Sequence, residues 1–411
     1  MVLHYIWVVF FLLAFGVALI RLLFFGDMEI FPQLMQGIFG AARTGFEISL
    51  GLTGVLTLWM GIMKIGENGG IVPVLMKLFG PFLRKLFPSL PKDHPAFGSI
   101  VMNITSNMLG LDNAATPLGL KAMKEMQEVN PHKDTASDAQ IMFLVINTAC
   151  LILLPINVMV YRSQLGAADP SDIFIPIMLS SFVAVLTGII AVAIMQRIRL
   201  LDKVMIAYMG SFILCVAAVV YMLFHSDKTR VAVMSKLISN VLLFVIIIMF
   251  ILLAVRKKIN IYDAFIDGAK EGFGIAVKII PFLVAMLIAI SVLRSSGILD
   301  YLVRVLGTML AWAGINADFV PALPTALMKP LTGSGARAMM IETMQIYGAD
   351  SFAGRVASVI QGTTDTTFYI IAVYFGSVGI KKIRYAVSCG LLADLAGFIA
   401  AVCFSYLFFA Q

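Results

Sequence analysis

Apolar segments long enough to cross a bilayer recur along the whole chain and constrain its fold more than any other feature. About 20 apolar residues span the hydrocarbon core of a membrane, and nine segments of this kind can be identified. They cover residues 3–25, 45–66, 139–161, 170–195, 202–224, 231–255, 273–294, 352–376 and 383–409. Because 60% of the residues are hydrophobic and only 13% are charged, we predict an all-helical polytopic membrane protein.

Four further segments are apolar but are interrupted by Pro, Gly, Asn, Lys and Asp. They cover residues 71–88, 97–130, 298–312 and 317–348. Irregular backbone is tolerated at membrane depth only where protein surrounds it. We therefore interpret these segments as amphipathic interfacial helices, each followed by a re-entrant hairpin, which gives two hairpins.

Basic residues in the loops predict the orientation. Most of the Lys and Arg residues near span ends follow the second, fourth, sixth and eighth spans, for example Arg197, Arg256 and Lys382. Because cytoplasmic loops carry the excess of basic residues, we predict a cytoplasmic N-terminus and a C-terminus outside. This loop pattern accounts for the net charge of +7, and we expect no nucleic acid partner.

An internal repeat relates the two halves of the chain. A shift of 227 positions carries ARTGF at 42–46 onto AKEGF at 269–273, and it carries Thr105 onto Thr332. The same shift places the first predicted span on the sixth. Equivalent spans are therefore five crossings apart, and an odd number of crossings turns the second half upside down relative to the first.

The repeat predicts three parts of the chain, namely a first repeat at 1–200, a linking transmembrane helix at 201–229 and a second repeat at 230–411. Inverted repeats whose broken helices meet near the bilayer midplane are an architecture of secondary transporters. An ancestral duplication without transport leaves the same pattern, so both interpretations stay open at this point.

Four polar patches interrupt the apolar sequence. They lie at 103–119, 147–157, 329–337 and 361–367, the last of which reads QGTTDTT. A charged side chain at the centre of a bilayer costs at least about 2.5 kcal/mol, so Asp365 needs compensating partners. Inverted symmetry would bring all four patches together in one polar cavity. The candidate residues for binding a substrate or an ion are Asn103, Thr105, Ser106, Asn107, Asp112, Asn113, Thr116, Asn147, Thr148, Thr332, Ser334, Arg337, Gln361, Thr363, Thr364 and Asp365.

These residue types suit a polar or anionic ligand. The Gly-Ser-Gly segment at 333–335 frees backbone N–H groups for an anion, and Thr, Asn and Gln side chains offer neutral donors and acceptors. Asp365 and Asp112 are candidates for holding a coupling proton or Na⁺, and we expect no other cofactor. Alternatives remain, because threonine hydroxyls in membrane helices often donate to their own backbone, and Arg337 is either a ligand contact or the counter-ion of Asp365. Asp394, in LLADLAG, is equally open between a functional and a structural role.

Signatures of catalysis and of metal sites are absent from the sequence. The four histidines are scattered, and neither HExxH nor GxSxG occurs. The four cysteines fit neither a disulfide framework nor a zinc spacing. We therefore expect neither enzymatic activity nor a bound metal.

Two long stretches of sequence resemble a known family. The segment HPAFGSIVMNITSNMLGLDNAATPLGLKAM, within residues 1–200, resembles spore maturation protein A. The segments SFAGRVASVIQGTTDTTFYIIAVYFGSVGIKKI and GLLADLAG, within residues 230–411, resemble spore maturation protein B. The chain looks like a fusion of the two that is joined at the repeat boundary. The resemblance implies a nucleoside recognition or gate domain, and kinship with concentrative nucleoside transporters, which have paired re-entrant hairpins in inverted repeats.

The residues and the resemblance together predict a secondary transporter of the bacterial inner membrane. We expect it to move a small polar or anionic solute, with a nucleoside as a candidate through the family name alone. Its expected partners are the lipid bilayer and further copies of the chain, in a dimer or trimer. The rival hypothesis is a non-transporting membrane scaffold or regulator that retains a ligand-binding gate fold, and a lipid substrate is a third alternative.

Overall fold

The structure is a computed structural model that describes residues 2–91, 94–110, 112–198, 202–225, 228–312, 314 and 316–409. Within these ranges the chain is helical, and its one β-type contact is an isolated bridge between Thr135 and Lys382. The helices are α1 (Val2–Phe25), α2 (Ile30–Gly69), α3 (Ile71–Leu86), α4 (Ala96–Met108), α5 (Asp112–Glu128), α6 (Asp138–Ala149), α7 (Ile156–Gln164), α8 (Phe174–Gln196), α9 (Lys203–His225), α10 (Lys228–Arg256), α11 (Ile261–Ser295), α12 (Ile298–Trp312), α13 (Leu323–Met328), α14 (Gly333–Tyr347), α15 (Phe352–Thr363), α16 (Thr367–Ser377) and α17 (Ala386–Phe409).

Six of the described helices are long and apolar enough to cross a membrane, namely α1, α2, α8, α10, α11 and α17. The prediction of an all-helical, multi-pass membrane protein is therefore confirmed. Two of the nine predicted spans are not continuous helices. The span 139–161 is divided into α6 and α7, and the span 352–376 is divided into α15 and α16.

Local sequence explains why both spans break. Proline disfavours helical backbone in the residue before it, so Pro155 favours the start of α7 at Ile156, whereas α6 ends earlier, at Ala149. In the other span, Thr364 and Thr366 have extended backbone. Short polar side chains such as Thr and Asp compete for backbone hydrogen bonds and favour helix ends.

The two longest helices extend beyond the spans predicted for them. Helix α2 has 40 residues and α11 has 35, whereas the predicted spans were 45–66 and 273–294. At about 1.5 Å per residue, both exceed the hydrocarbon thickness of about 30 Å. Hydropathy marks only the apolar part of such a helix, and charged residues such as Arg43 and Lys270 lie within the helices without ending them.

The order of helices repeats along the chain. Helices α1 to α8 are followed, after α9, by α10 to α17 in a similar order of long and short helices, although α13 has 6 residues where α4 has 13. Each half has a long helix, a very long helix, an amphipathic helix, a helical hairpin, a broken helix and a final long helix. The hairpins are α4–α5 and α13–α14, and within each one the two helices pack together.

Helices α2 and α11 form the most extensive helix–helix contact in the molecule. Gly45 near the start of α2 lies against Val284 late in α11, whereas Leu56 further along α2 lies against the earlier Gly272. The two helices therefore run antiparallel. The first helix of each half packs on the very long helix of the other half, since α1 packs on α11 and α10 packs on α2.

Helices α8 and α17 form a second antiparallel pair. Ala184 lies against Gly397, and the later Gly188 lies against the earlier Ala393. Small residues on both helices allow this close approach. Helices that hold equivalent places in the two halves thus pack in opposite directions at two separate positions in the fold.

Candidate functional site

The two broken helices meet the two hairpins at one place. The N–H of Leu153 donates to the carbonyl of Met108 at 2.9 Å, which ties the first break to the first hairpin. The N–H of Phe368 donates to the carbonyl of Pro330 at 2.9 Å, which ties the second break to the second hairpin. A third backbone bond joins the two breaks, from the N–H of Asp365 to the carbonyl of Thr148 at 2.7 Å.

Irregular backbone accompanies this junction. Helix α6 starts with a capping box between Ser137 and Gln140 and ends at Cys150, whose φ is +37°. A positive φ is uncommon for a residue with a side chain, and such backbone is found preferentially at functional sites. Cys150 therefore marks the end of α6 at the junction, between Thr148 and Leu153.

A cavity of about 140 Å³ lies at the junction. All four polar patches contribute to its wall. The polar and glycine residues in the wall are Asn107, Gly110, Asn157, Lys329, Gly333, Arg337, Gln361, Gly362, Thr364 and Asp365. Ile156 at the N-terminus of α7 and the preceding Pro155 also lie in the wall. Five of the sixteen predicted residues, namely Asn107, Arg337, Gln361, Thr364 and Asp365, therefore share one cavity.

Two basic side chains and one acidic side chain lie in the wall of this cavity. Lys329 is buried, with 5% of its surface exposed, and its Nζ donates to the carbonyl of Gln361 at 2.8 Å. The Arg337 guanidinium lies 5.6 Å from the ring centre of Tyr161. Asp365 is exposed, and its Oδ1 accepts from the N–H of Thr366 at 2.7 Å, at the start of α16. The N-terminus of α16 and nearby Lys329 thus compensate the carboxylate that made QGTTDTT conspicuous.

The hydroxyls of three predicted threonines donate to backbone carbonyls of their own helices. Thr105 donates to the carbonyl of Val101 at 2.5 Å, Thr148 to that of Val145 at 3.0 Å, and Thr363 to that of Val359 at 2.6 Å. These contacts are the structural alternative considered for threonine in membrane helices. None of the three lines the cavity among the described residues.

Other predicted residues brace the junction. The Nδ2 of Asn107 donates to Oδ1 of Asn147 at 2.7 Å, and the Nδ2 of Asn103 donates to the carbonyl of Ala115 at 2.8 Å. Thr332 caps α14, because its hydroxyl accepts from the N–H of Gly335 at 3.4 Å. The remaining candidates lie outside the described wall of the cavity or outside the described side chains. Ser106, Thr116 and Ser334 belong to the first group, and Asp112 and Asn113 to the second.

Two charged residues near the cavity were not among the predicted binding residues. Lys329 belongs to the third polar patch, and its burial was not visible in the sequence. Asp394 on α17 is 1% exposed, and its Oδ2 accepts from the Thr367 hydroxyl at 2.6 Å. The fourth patch therefore supplies Asp394 with the polar neighbour that its own segment LLADLAG lacks.

Loops at two places join the halves of the chain. The first contact, which we call the buried latch, joins loop 165–173 to loop 348–351. Within it, Arg162 contacts Asp172 at 2.9 Å and Asp350 at 3.1 Å, and the Arg162 side chain is 0% exposed. The N–H of Ala168 also donates to Asp350 Oδ2 at 2.8 Å.

The second contact, the exposed latch, joins loop 129–137 to loop 378–385. The N–H of Ala136 donates to the carbonyl of Lys382 at 2.9 Å, and Arg384 contacts Asp138 at 2.8 Å. A hydrogen bond from the Thr135 hydroxyl and the ammonium of Lys382 lower the pKa of Asp134. By helix order, the loops of this latch are equivalent to those of the buried latch, with the halves exchanged.

No group of three or more His, Cys, Asp or Glu side chains is placed to hold a metal ion within the described ranges. The polar side chains in the described wall of the cavity are three amides, one hydroxyl, one thiol, one carboxylate and two basic groups. This set suits hydrogen bonding to a polar solute.

Comparisons with known proteins identify the relatives of this chain. It is 48% identical over 155 residues to spore maturation protein B of Bacillus subtilis (strain 168), which covers 38% of this chain and 85% of that protein. It is 41% identical over 155 residues to spore maturation protein A of the same organism, which covers 38% of this chain and 79% of that protein. The inner membrane protein YjiG of Escherichia coli (strain K12) is 32% identical over 97 residues, or 23% of this chain and 62% of that protein. No solved structure matches the chain significantly.

The family comparison covers both halves of the fold. The Gate family, described as nucleoside recognition, matches residues 49–168 and 276–381. These ranges contain both hairpins, both broken helices and most of the cavity wall. The resemblance to spore maturation proteins A and B that the sequence motifs indicated is confirmed, and this membrane protein belongs to the Gate family of nucleoside recognition proteins.

Proposed function

We propose that this protein is a secondary transporter of the bacterial inner membrane that moves a small polar or anionic solute by alternating access. The observation that carries the proposal is the polar cavity at which two hairpins and two broken helices converge. Solute sites of secondary transporters form where discontinuous helices of two repeats meet. The inner-membrane location follows the E. coli relative, whose name states it.

We further infer that the two halves form an inverted repeat with re-entrant hairpins. Antiparallel packing of α2 with α11 and of α8 with α17 supports this inference, because inversion makes equivalent helices run in opposite directions. The hairpin tips lie beside helix breaks whose freed backbone groups need partners away from lipid. The cytoplasmic N-terminus and external C-terminus remain predictions from the basic loops.

The size and charge of the cavity favour a compact solute. Its volume of about 140 Å³ is close to that of an engineered cavity of about 150 Å³ that admits benzene. A single ring therefore fits, whereas a whole nucleoside requires the cavity to widen. Lys329 and Arg337 outweigh Asp365, and the N-termini of α7 and α14 reach the wall at Ile156 and Gly333. Both features favour an anionic solute or one rich in acceptor atoms.

The two latches suggest how access alternates. They are equivalent contacts, but the arginine of one, Arg162, is 0% exposed, whereas the arginine of the other, Arg384, is 38% exposed. Exposed ion pairs contribute about 0–1 kcal/mol, so the exposed latch is the easier one to open. In this mechanism the exposed latch opens the cavity to its own side first, and the buried latch opens when solute has bound.

Thermal stabilisation by candidate solutes tests the site. The panel for detergent-purified protein consists of uracil, uridine, uridine monophosphate, succinate and glycerol phosphate. A solute at 100 times its dissociation constant stabilises the folded state by about 2.7 kcal/mol. We expect at least one member to raise the melting temperature, and we expect the same member to accumulate in liposomes by counterflow.

Replacing Asp365 with Asn is expected to weaken binding of a neutral solute such as uracil or uridine about tenfold, which corresponds to about 1.4 kcal/mol. The same change is expected to strengthen binding of an anionic solute, because a negative charge is removed from the wall. The amide keeps the shape of the side chain but removes the charged acceptor in the cavity wall. Asp267→Asn is the matched control, because Asp267 is exposed on α11 and its contact is with Lys270, at 3.8 Å.

Equal affinities of the two variants would remove Asp365 from the site. If none of the panel either stabilised the protein or crossed the liposome membrane, the transporter proposal would be abandoned in favour of the non-transporting scaffold or regulator. Stabilisation by glycerol phosphate alone, without counterflow, would indicate binding of a lipid head group.

A further inference from the structure

Asp394 lies behind the solute cavity, on a face of α17 that packs against the fourth polar patch. Gly390, Asp394 and Gly397 have the i, i+4, i+7 spacing that places them on one side of the helix. Gly390 lies against the Thr367 side chain, and Gly397 lies against Thr364. The glycines allow the extended segment to approach α17 closely, and the carboxylate between them is buried, with 1% of Asp394 exposed.

The hydrogen bonds of this carboxylate are incomplete. Its Oδ2 accepts from the Thr367 hydroxyl at 2.6 Å, whereas its Oδ1 is buried without a protein partner. The Thr364 hydroxyl lies beside the same carboxylate, but no hydrogen bond of good geometry joins the two. Buried polar atoms are usually paired, and each exception requires an explanation.

The ionised and the protonated state of Asp394 differ in their cost at this site. In the ionised state the unpaired Oδ1 leaves a charge in a region of low dielectric, which is costly. A proton on Oδ1 removes that charge, while Oδ2 continues to accept from the Thr367 hydroxyl at 2.6 Å. The burial of the carboxylate and its single hydrogen bond therefore favour a bound proton.

The charged groups that act on Asp394 from neighbouring elements are Lys329 and Asp365. Ionisable residues on the other helices packed against α17 are Asp138 on α6, Arg355 on α15, Tyr369 and Tyr374 on α16, and Lys228, Arg230, Lys236 and Arg256 on α10, while α8 carries none. The Lys329 side chain can balance the carboxylate when the proton leaves. Among the described residues, the side chains beside the carboxylate include only two hydroxyls, those of Thr364 and Thr367. A proton, which bonds to a single oxygen, therefore fits the site better than a metal cation that needs several oxygen ligands.

We propose that Asp394 is a proton-binding site that couples H⁺ to solute movement. The inference rests on the proposed transport function for its meaning, but the proton site itself rests on the burial of the Asp394 carboxylate and on its single hydrogen bond. A proton from water forms a bond with Oδ1 and later returns to water, and no other bond is made or broken.

Two residues connect this site to the solute cavity. Thr364 and Lys329 both line the cavity and both lie near Asp394. On another side, Asp394 borders a groove of about 670 Å³ whose wall is mainly apolar, with residues such as Phe398 and Leu327. Water is not favoured in such a groove, so proton exchange passes through the polar cavity. A solute that contacts Thr364 or Lys329 would then change the stability of the proton on Asp394.

Infrared difference spectroscopy between acidic and alkaline buffers tests the proposal without any solute. Protein reconstituted in liposomes is expected to show the C=O band of a protonated carboxyl group that titrates. This band should disappear in Asp394→Asn and should remain in the control Asp267→Asn. Asp394→Glu should retain a carboxyl band at a shifted frequency, and Thr367→Val should raise the frequency by removing the hydrogen bond to Oδ2.

A titrating band that is unchanged in Asp394→Asn and in Thr367→Val would overturn the proposal, as would the absence of any such band from the wild type. Because Thr367→Val retains the carboxyl group, it serves as the test if Asp394→Asn does not fold. The result is separable from the transport proposal. An Asp394 band in a protein that moves none of the solute panel keeps the proton site and removes the transporter, whereas solute transport without an Asp394 band does the reverse.

Discussion

Replacing Arg162 with Leu is expected to lower the free energy of unfolding by about 3–5 kcal/mol, the usual cost of breaking a buried ion pair. The Arg162 side chain is 0% exposed, and its guanidinium donates to the carbonyl of Ala349 at 2.6 Å and to Asp350 at 3.1 Å. It also contacts Asp172, which is 13% exposed, at 2.9 Å. Leucine would leave Asp172 with Arg355, at 2.8 Å, as its one remaining ion-pair partner among the described residues, and it would leave the buried carbonyl of Ala349 without this donor. Chemical unfolding in detergent micelles measures the loss.

The exposed latch offers a matched control for this prediction. Arg384 makes a similar pair of contacts, with Asp138 at 2.8 Å and the carbonyl of Ala136 at 3.0 Å. The Arg384 and Asp138 side chains are 38% and 41% exposed, so Arg384→Leu is expected to cost no more than about 1 kcal/mol. If Arg162→Leu and Arg384→Leu lowered the free energy of unfolding equally, the two latches would be equally stable. The proposal that the exposed latch opens first would then be wrong.

Sequence reasoning located the apolar helices because their signal is continuous. The predicted spans 3–25, 170–195 and 383–409 agree with α1, α8 and α17 within a few residues. The breaks after α6 and α15 were missed as breaks, although their polar residues were noticed. A window of hydropathy averages over Pro155 or over Thr364 to Thr366, whereas the backbone responds to each residue separately.

The candidate site was predictable to the extent that it is local in sequence. QGTTDTT was conspicuous because a carboxylate among apolar residues must have partners, and the structure places Gln361, Thr364 and Asp365 in one cavity. Whether a threonine faces the cavity or donates to a carbonyl of its own helix depends on its rotamer. The sequence therefore could not show that Thr364 lines the cavity and that Thr363 does not. The pairing of Asp394 with Thr367, 27 residues away, and that of Arg162 with Asp350, 188 residues away, require the fold itself.

The repeated glycines combine both kinds of information. The sequence alignment of ARTGF with AKEGF pairs Gly45 with Gly272, and both residues lie in the contact between α2 and α11. A Cβ on Gly272 would lie 2.7 Å from the Leu56 carbonyl oxygen. One turn earlier on α11, a Cβ on Gly268 would overlap the carbonyl oxygen of Met60. The repeat therefore preserves the residue that lets its two longest helices touch.

Gly268→Ala is accordingly expected to destabilise the protein by about 2–3 kcal/mol, because the added methyl group meets backbone that cannot rotate away. Alanine is otherwise the better helix former by about 1 kcal/mol. Gly274→Ala on the same helix is the control, since its Cβ would have no atom within 4 Å, and this variant should be neutral or slightly stabilised. Chemical unfolding of both variants in the same micelles separates packing from helix propensity. A Gly268→Ala protein as stable as Gly274→Ala would mean that α2 and α11 are further apart than described, and it would remove the main support for antiparallel pairing of the two halves.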